Sequence, residues 1–511
     1  MLVKILLLIV FFSVMIAIGV YCRQHSTDVQ GFVLGSRSVG PWLTAFAYGT
    51  SYFSAVVFVG YAGQFGWKYG VASTWIGIGN ALIGSLLAWA VLGRRTRIMS
   101  NSLSAATMPD FFGKRFESKA LKIAASAIVF VFLVPYTASV YNGLSRLFGM
   151  AFDIPYAVCV IVMAVLTGAY VILGGYMATA INDFIQGIIM LGGIVAVIAA
   201  VLSGQGGFSQ ALYNLAEIPS EIPATLGQQG AYTSFFGPDP LNLLGVVILT
   251  SLGTWGLPQM VHKFYAIKSE KAIQTGMIVS TAFAVVISGG CYFLGGFGRL
   301  FDNPSLYNDQ GAVIYDGIIP FMLSSLPDIL IGVVIVLVLS ASMSTLSSLV
   351  LTSSSTLTLD FLKDNIIKNL SEKRQLLLMR LLIVFFIVLS VVLALDPPTF
   401  IAQLMGISWG ALAGAFLAPF LYGLYWKGVT KAAVWASFAA GIGITVTNMI
   451  WNYISSPINA GAIAMIAGLI VVPAVSLVTP KMKKEKTDEI FACYEEAVTV
   501  KRKTALPVEE K

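Results

Sequence analysis

Charged residues are scarce in this chain of 511 residues, and their scarcity decides its class. Only 11% of the residues are Asp, Glu, Lys or Arg, whereas 57% are hydrophobic. Soluble proteins carry about 25% charged residues. The composition therefore excludes an ordinary soluble protein and predicts an all-α integral membrane protein in contact with the lipid bilayer. The net charge of +7 does not indicate nucleic-acid binding, because the basic residues lie in short loops beside apolar runs.

Cysteine and histidine are also few. The four cysteines are far apart in sequence, and the two histidines flank separate apolar runs. This spacing argues against a disulfide framework and against a histidine-based metal site. The sequence also has no evident nucleophile–base pair and no phosphate-binding loop. We therefore expect neither enzyme activity nor an organic cofactor.

The apolar runs are long enough for thirteen membrane crossings of roughly 20 residues each. With the N-terminus outside, most lysines and arginines fall in inward loops, as the positive-inside rule requires. This predicts a multi-pass protein of the cell membrane with a cytoplasmic C-terminus. The predicted spans are residues 2–22, 41–67, 71–93, 121–148, 155–174, 183–204, 240–262, 273–299, 328–359, 377–396, 400–425, 432–453 and 457–479.

The spans are expected to form one transmembrane domain over residues 1–479. Residues 480–511 form a short charged tail on the cytoplasmic side. A segment of this length cannot bury an independent hydrophobic core. The tail therefore argues against an attached catalytic domain.

A burst of hydroxyl side chains follows the apolar run 329–340. Ser344, Ser347 and Ser348 share one helix face, and Thr345 extends the hydroxyls over the neighbouring sector. Hard oxygen ligands without a fixed charge suit a weakly held alkali cation, so we predict sodium binding here. The alternative is structural, because membrane serines often pack helices or bond back to a carbonyl one turn earlier.

Two spans look interrupted by helix-breaking residues. The second span contains Gly49-Thr50-Ser51, and the seventh contains Gly253 followed by Gly256-Leu257-Pro258. Broken helices at membrane depth line cavities or are buried in protein. Each break begins a block of five spans, as two inverted repeats of a transporter would require. The repeats are expected over about 41–204 and about 240–425. The alternative is that these glycines only allow close helix packing.

Asp183 lies at the predicted inner end of the sixth span. It can cap that helix or favour its N-terminus, a purely structural role. It can also be an ion ligand that faces the hydroxyls of the ninth span. The spacing of residues leaves both interpretations open.

Several short motifs resemble those of the sodium/solute symporter family, and they occur in the same order. The family includes proline, pantothenate, sialic acid, sugar and monocarboxylate carriers. The resemblance implies a LeuT-type fold with two inverted five-helix repeats, an extra N-terminal helix and two C-terminal helices. The motifs are Phe32-Val33-Leu34-Gly35-Ser36-Arg37-Ser38, Gly40-Pro41-Trp42, Met108-Pro109-Asp110-Phe111-Phe112, Gly174-Gly175, Asn182-Asp183-Phe184-Ile185-Gln186-Gly187, Gly256-Leu257-Pro258-Gln259 and Met343-Ser344-Thr345-Leu346-Ser347.

The resemblance also implies ion ligands. A first sodium site would use carbonyls of Thr50, Phe53 and Ala341 and the hydroxyls of Ser344 and Thr345. Some members of the family hold a second sodium, which would here use the residues Asp183, Ser344, Ser347 and Ser348. All four residue types are retained, so the sequence permits a second ion.

The positions that line the substrate cavity in the family are Ser54, Tyr136 and Thr254, with Trp255 beside them. Proline carriers have an aspartate where this chain has Tyr52 and an aromatic residue where it has Thr254. The run from Tyr52 onward is more similar to pantothenate and monocarboxylate members. We expect a small carboxylate-bearing solute, imported with sodium by alternating access. Rival interpretations are an ion or solute channel and a transporter-like sensor, and the oligomeric state is left open.

Overall fold

The computed structural model describes residues 2–23, 28–152, 154–363, 365–367 and 370–499. Within these ranges the chain is helical, and strand pairing is limited to three isolated bridges. The α-helices are α1 (Leu2–Cys22), α2 (Val29–Leu34), α3 (Pro41–Tyr52), α4 (Ala62–Tyr69), α5 (Thr74–Ala81), α6 (Arg94–Ser102), α7 (Met108–Arg115), α8 (Lys119–Phe152), α9 (Tyr156–Gly204), α10 (Phe208–Glu217), α11 (Pro240–Gly253), α12 (Pro258–Tyr265), α13 (Glu270–Gly295), α14 (Tyr315–Ser324), α15 (Asp328–Thr356), α16 (Glu372–Leu395), α17 (Ile401–Tyr425), α18 (Lys431–Trp451), α19 (Pro457–Val478) and α20 (Lys484–Thr499).

Eleven helical segments of the described residues are long and apolar enough to cross a membrane. Two of the thirteen predicted spans are absent from this set. Span 41–67 is divided between two short helices, α3 and a second helical stretch that begins at Val56. Span 155–174 appears as a shorter apolar helix, Tyr156–Ala169, at the start of α9. The protein is thus a multi-pass membrane protein, and the count of thirteen stays a prediction.

Proline and hydroxyl residues begin several of these helices. Pro41, Pro240 and Pro258 each occupy the first turn, where a missing backbone N–H costs no helical hydrogen bond. Ser269 caps α13 by accepting from the Ala272 amide, and Thr430 caps α18 in the same way. The helices that begin at Pro41, Pro240, Glu270 and Lys431 start within three residues of a predicted span start, whereas Pro258 lies inside the predicted span 240–262.

Helix α9 contains a sharp break at Gly175. This glycine has φ 55° and ψ −149°, a conformation that L-residues with a side chain rarely adopt. A Cβ atom there would lie 2.8 Å from the Phe32 carbonyl oxygen, because α2 packs against the break. The expected loop 175–182 is therefore wrong: after Gly175 these residues continue as helix.

Helix α15 is the centre of the molecule. It packs against α1, α3, α8, α9 and α16, and every residue from 337 to 356 is buried. A helix buried on all sides must bond or neutralise each polar group that it carries. The contacts of its hydroxyls therefore bear directly on function.

Candidate functional site

The hydroxyl burst of α15 faces protein rather than lipid. Ser344, Thr345 and Ser347 are fully buried, and Ser348 is 4% exposed. The residues directly opposite belong to α3, which ends at Tyr52. Phe53 then adopts an extended conformation, with φ −108° and ψ 102°. The predicted interruption of the second span is thus present, and it lies against the hydroxyl burst.

The end of α3 leaves backbone carbonyls without helical partners. The Ser344 hydroxyl donates to the Thr50 carbonyl at 3.0 Å and lies equally close to the Ala341 carbonyl. The Thr345 hydroxyl lies 3.4 Å from the carbonyls of both Thr50 and Ser51, and 3.2 Å from that of Ala341. Four of the five predicted first-site ligands therefore meet in one cluster.

This cluster, formed by Thr50, Ser51, Ala341, Ser344 and Thr345, has more acceptors than donors. Three carbonyl oxygens share two hydroxyl protons, and one hydroxyl can donate to only one of them at a time. All five residues are at most 2% exposed. Buried oxygens with unused lone pairs are the ligands that a hard monovalent cation requires. The residues present therefore fit sodium as a passenger ion.

The four residues of the predicted second site have different surroundings. The Ser347 hydroxyl donates to the carbonyl of Ser344 in its own helix, at 2.9 Å. The Ser344 hydroxyl points to Thr50, as described above. Only Ser348 and Asp183 face a further charged group.

Asp183 lies inside α9, beyond the Gly175 break, and its side chain is fully buried. Neither carboxylate oxygen hydrogen-bonds to a backbone amide among the described residues. The capping interpretation left open by the sequence is therefore wrong.

A lysine, Lys263, fills the space between Asp183 and Ser348. Its Nζ atom donates to the Ser348 hydroxyl at 3.0 Å and lies 3.7 Å from Asp183 Oδ2. The face of the Tyr176 ring is 5.2 Å from the same nitrogen. The side chain of Lys263 is 2% exposed. The predicted seventh span, 240–262, ends one residue before Lys263, so the sequence placed this lysine outside the spans, and its burial beside Asp183 is a correction.

The Ser348 hydroxyl also joins the two parts of the site. It lies 2.8 Å from the hydroxyl of Ser51 in α3, next to Thr50. Lys263 belongs to α12, which starts after the second interrupted helix. A continuous chain of contacts therefore connects both interrupted helices through α15.

The second interruption lies between α11 and α12. The Thr254 hydroxyl lies within hydrogen-bond distance of the carbonyls of Gly84, at 3.1 Å, and Ser251, at 3.0 Å, and can donate to either. The Trp255 indole donates to the Ile83 carbonyl at 3.0 Å. The accepting residues Ile83 and Gly84 lie in a π-helical stretch, Leu82–Leu87, whose wider turns free carbonyls for outside partners.

The predicted substrate residues are buried side by side with aromatic rings. Ser54 and Thr254 are 1% exposed and Tyr136 is fully buried, whereas Trp255 is 8% exposed. Trp409 packs edge-on to Tyr136 at 5.8 Å and stacks with Tyr52 at 5.9 Å, measured between ring centroids. The Tyr52 hydroxyl donates to the Thr250 carbonyl in α11. These contacts bring the two interruptions together around one aromatic wall.

Sequence reasoning missed three residues of this region. Lys263 lies close to the basic loop that follows it, and Ser51 and Trp409 were not singled out as site residues. The one available signal for Lys263 was Asp183 itself, because a buried carboxylate requires a counter-charge. Nothing in the order of residues identifies a partner 80 positions away.

Two interrupted helices around a buried oxygen cluster, within a bundle of membrane-length helices, define a secondary transporter. The sequence matches the sodium:solute symporter family over residues 32–441. The chain belongs to this family, whose members couple the movement of a solute to that of sodium.

Relatives with established names support this membership. The osmoregulated proline transporter OpuE of Bacillus subtilis is 27% identical over 489 residues, which cover 93% of this chain and 94% of that protein. A sodium/proline symporter of Staphylococcus aureus is 29% identical over 505 residues and covers 94% of this chain and 93% of its own length.

Solved structures give the same fold. A Na+-coupled sialic acid symporter in a substrate-bound, outward-open state superposes with a TM-score of 0.74, at 16% identity, over 94% of this chain and 99% of that chain. Mhp1, a nucleobase-cation-symport-1 family transporter, superposes with a TM-score of 0.51, at 12% identity, over 90% of this chain and 97% of that chain. Both are LeuT-fold transporters, so the fold is shared while the solutes differ.

Proposed function

We propose that this protein imports a small carboxylate-bearing solute together with sodium, and that proline is the first candidate. The observation that carries the proposal is the acceptor-rich cluster at the end of α3. Three buried carbonyls and two hydroxyls from separate helices converge there, and a cation is the partner that satisfies such a set.

The sodium passenger would be held by the carbonyls of Thr50, Phe53 and Ala341 and by the hydroxyls of Ser344 and Thr345. Binding of the ion would tie α3 to α15, because its ligands come from both helices. A ligand favours one conformation only through its different affinities for the two states. An ion that bridges two helices supplies such a difference, since moving them apart removes ligands.

The solute carboxylate would be met at the second interruption. Helix α12 begins at Pro258, directly after the break, and the dipole at a helix N-terminus favours negative charge. The Gln259 side chain is 1% exposed, and neither of its amide atoms is hydrogen-bonded among the described residues. Ser54, Tyr136, Thr254 and Trp255 would form the walls of the solute site.

The choice of solute rests on two lines of reasoning. The matched relatives in Bacillus subtilis and Staphylococcus aureus are proline transporters by name. Tyr52 and Thr254 depart from the proline-carrier pattern and favour a pantothenate or monocarboxylate substrate. The shared chemistry is a carboxylate on a small organic molecule.

The proposed topology has thirteen crossings in one domain over residues 1–479, with the N-terminus outside and the tail inside. Two inverted repeats, about 41–204 and about 240–425, would rock against each other to give alternating access. Each sodium that enters down a potential of 100 mV gains about 2.3 kcal/mol. For a solute without net charge, such as zwitterionic proline, this gain alone supports accumulation of about fifty-fold.

The test is uptake into proteoliposomes. Labelled proline, pantothenate, lactate, pyruvate, acetate, sialic acid and a hexose are presented with and without an inward sodium gradient. We expect saturable, sodium-dependent accumulation of a carboxylate and counterflow of solute against solute. A channel would give no counterflow, and a sensor would bind solute without accumulating it.

A further inference from the structure

The position of the buried ion pair between Asp183 in α9 and Lys263 in α12 bears on how many sodium ions are coupled to each solute. Lys263 Nζ lies 3.0 Å from Ser348 Oγ and 3.7 Å from Asp183 Oδ2. Asp183 and Ser348 are two of the four residues that hold a second sodium in some members of the family. The ammonium group therefore lies between the ligands that such an ion would use.

We propose that the Lys263 ammonium takes the place of a second sodium, so that this chain carries one sodium per solute. The inference rests on the proposed sodium-coupled function and specifies its ion count. An ammonium is a monovalent cation with three donors, and here it meets a hydroxyl, a carboxylate and the face of an aromatic ring.

The remaining second-site residues are engaged elsewhere. The Ser347 hydroxyl bonds back to the Ser344 carbonyl, and the Ser344 hydroxyl donates to Thr50 in the first-site cluster. A sodium ion at Asp183 and Ser348 would lie in contact with the ammonium. The sodium ion and the ammonium, each with one positive charge, would repel each other strongly because little water screens them in this buried position. The Asp183 carboxylate carries one negative charge, which the Lys263 ammonium already neutralises.

Hydrogen bonds also connect the Lys263 ammonium to the proposed sodium site. Ser348 receives a hydrogen bond from Lys263 and shares one with Ser51, whose carbonyl faces Thr345 in the first-site cluster. In this arrangement the Lys263 ammonium, which is part of the chain, would stabilise the packing that a second bound sodium would stabilise in other members of the family. For a solute without net charge, the energy drawn from the membrane potential per solute is then that of one charge.

The test counts bound sodium directly and needs no identified solute. Equilibrium binding of ²²Na+ to the purified full-length protein in nanodiscs is measured for the wild type and for four variants. We expect one sodium per chain for the wild type and for Lys263→Arg, which keeps the cation. Lys263→Met leaves Asp183 without a counter-charge, so this variant should bind two. The double variant Lys263→Met with Asp183→Asn removes both charges and should bind one.

Lys268→Met is the matched control. Lys268 is exposed in the turn after α12, so its loss should leave the count at one. Two sodium ions bound to the wild type, or one bound to folded Lys263→Met, would overturn the inference while sodium coupling itself stands. A wild type that binds no sodium would overturn the proposed function as well. If Lys263→Met does not fold, the wild-type count still decides, supported by a ²²Na+ to solute flux ratio of one.

Discussion

The two interruptions differ in the helix end that lies beside the site: the C-terminus of α3 at the first and the N-terminus of α12 at the second. At the first interruption α3 stops at Tyr52, and its last carbonyl oxygens converge with the hydroxyls of α15. At the second, α12 starts at Pro258, and the side chain of Gln259 in its first turn has no hydrogen bond among the described residues. A helix C-terminus favours cations and a helix N-terminus favours anions. Under the proposed function, the first interruption would hold sodium and the second would hold the solute carboxylate.

The threonine hydroxyls at the two interruptions, those of Thr345 and Thr254, also differ in their carbonyl contacts. Thr345 lies at 3.2–3.4 Å from three carbonyls and is committed to none of them. Thr254 lies 3.1 Å from the Gly84 carbonyl in the π-helical stretch and 3.0 Å from the Ser251 carbonyl near the end of α11. The first hydroxyl is free to turn its lone pairs to an ion, whereas the second fixes a helix end.

The largest effect is expected from removing the Thr345 hydroxyl. Thr345→Ala should raise the sodium concentration for half-maximal uptake by about tenfold to a hundredfold, since an interaction with a charged group is worth about 1.5–3 kcal/mol. Ser354→Ala on the same helix loses only a bond to the Leu351 carbonyl and serves as control. Unchanged sodium dependence in folded Thr345→Ala would contradict the proposal that sodium binds at the first interruption.

The second interruption is tested by Gln259→Leu. This change removes an unbonded amide beside the α12 N-terminus and should raise the solute concentration for half-maximal uptake by about tenfold, with sodium dependence little altered. Met260→Leu, which changes a buried neighbour without touching a polar group, is the control. A shift of the sodium dependence as large as that of the solute dependence would contradict separate cation and anion ends.

Sodium itself provides a third test. Adding sodium at ten times its dissociation constant should stabilise the wild-type protein by about 1.4 kcal/mol, because a ligand that binds only the folded state shifts the unfolding equilibrium. The readout is the thermal unfolding temperature in sodium against equal potassium. Gln259→Leu should keep the full shift and Thr345→Ala should lose most of it. Equal shifts in sodium and potassium would argue against a selective site.

The smallest effect is expected at Ser51. Ser51→Ala removes the 2.8 Å hydrogen bond to Ser348 but leaves its carbonyl in the first-site cluster. We expect the sodium concentration for half-maximal uptake to rise about threefold to fivefold, the equivalent of one neutral hydrogen bond of about 1 kcal/mol. Ser126→Ala, whose hydroxyl bonds to the Thr356 carbonyl near the end of α15, is the comparison variant. A change as large as that of Thr345→Ala would make Ser51 a direct participant.

Much of the first interruption could be predicted from the sequence because its signals are local. Gly49-Thr50-Ser51 marks the break, and the burst from Ser344 to Ser348 marks the facing helix. Membership of a known family then pairs the two, and the contacts of Thr50 with Ser344 and Thr345 agree with that pairing.

The other side of the site required the structure. Lys263 is the sixth residue of α12, and only the packing of α12 against α15 brings it to Ser348 and Asp183. The predicted spans 155–174 and 183–204 left residues 175–182 as a loop. The structure has one left-handed residue there and then continues as helix, which moves Asp183 from a helix end to a helix interior.

The break at Gly175 has a consequence for how the chain enters the bilayer. A helix of 49 residues without interruption would be about 74 Å long, more than twice the hydrocarbon thickness of about 30 Å. One backbone torsion angle thus divides a rod too long for the membrane into two segments of usable length. A side chain at this position would oppose that division, because its Cβ atom would lie 2.8 Å from the Phe32 carbonyl oxygen.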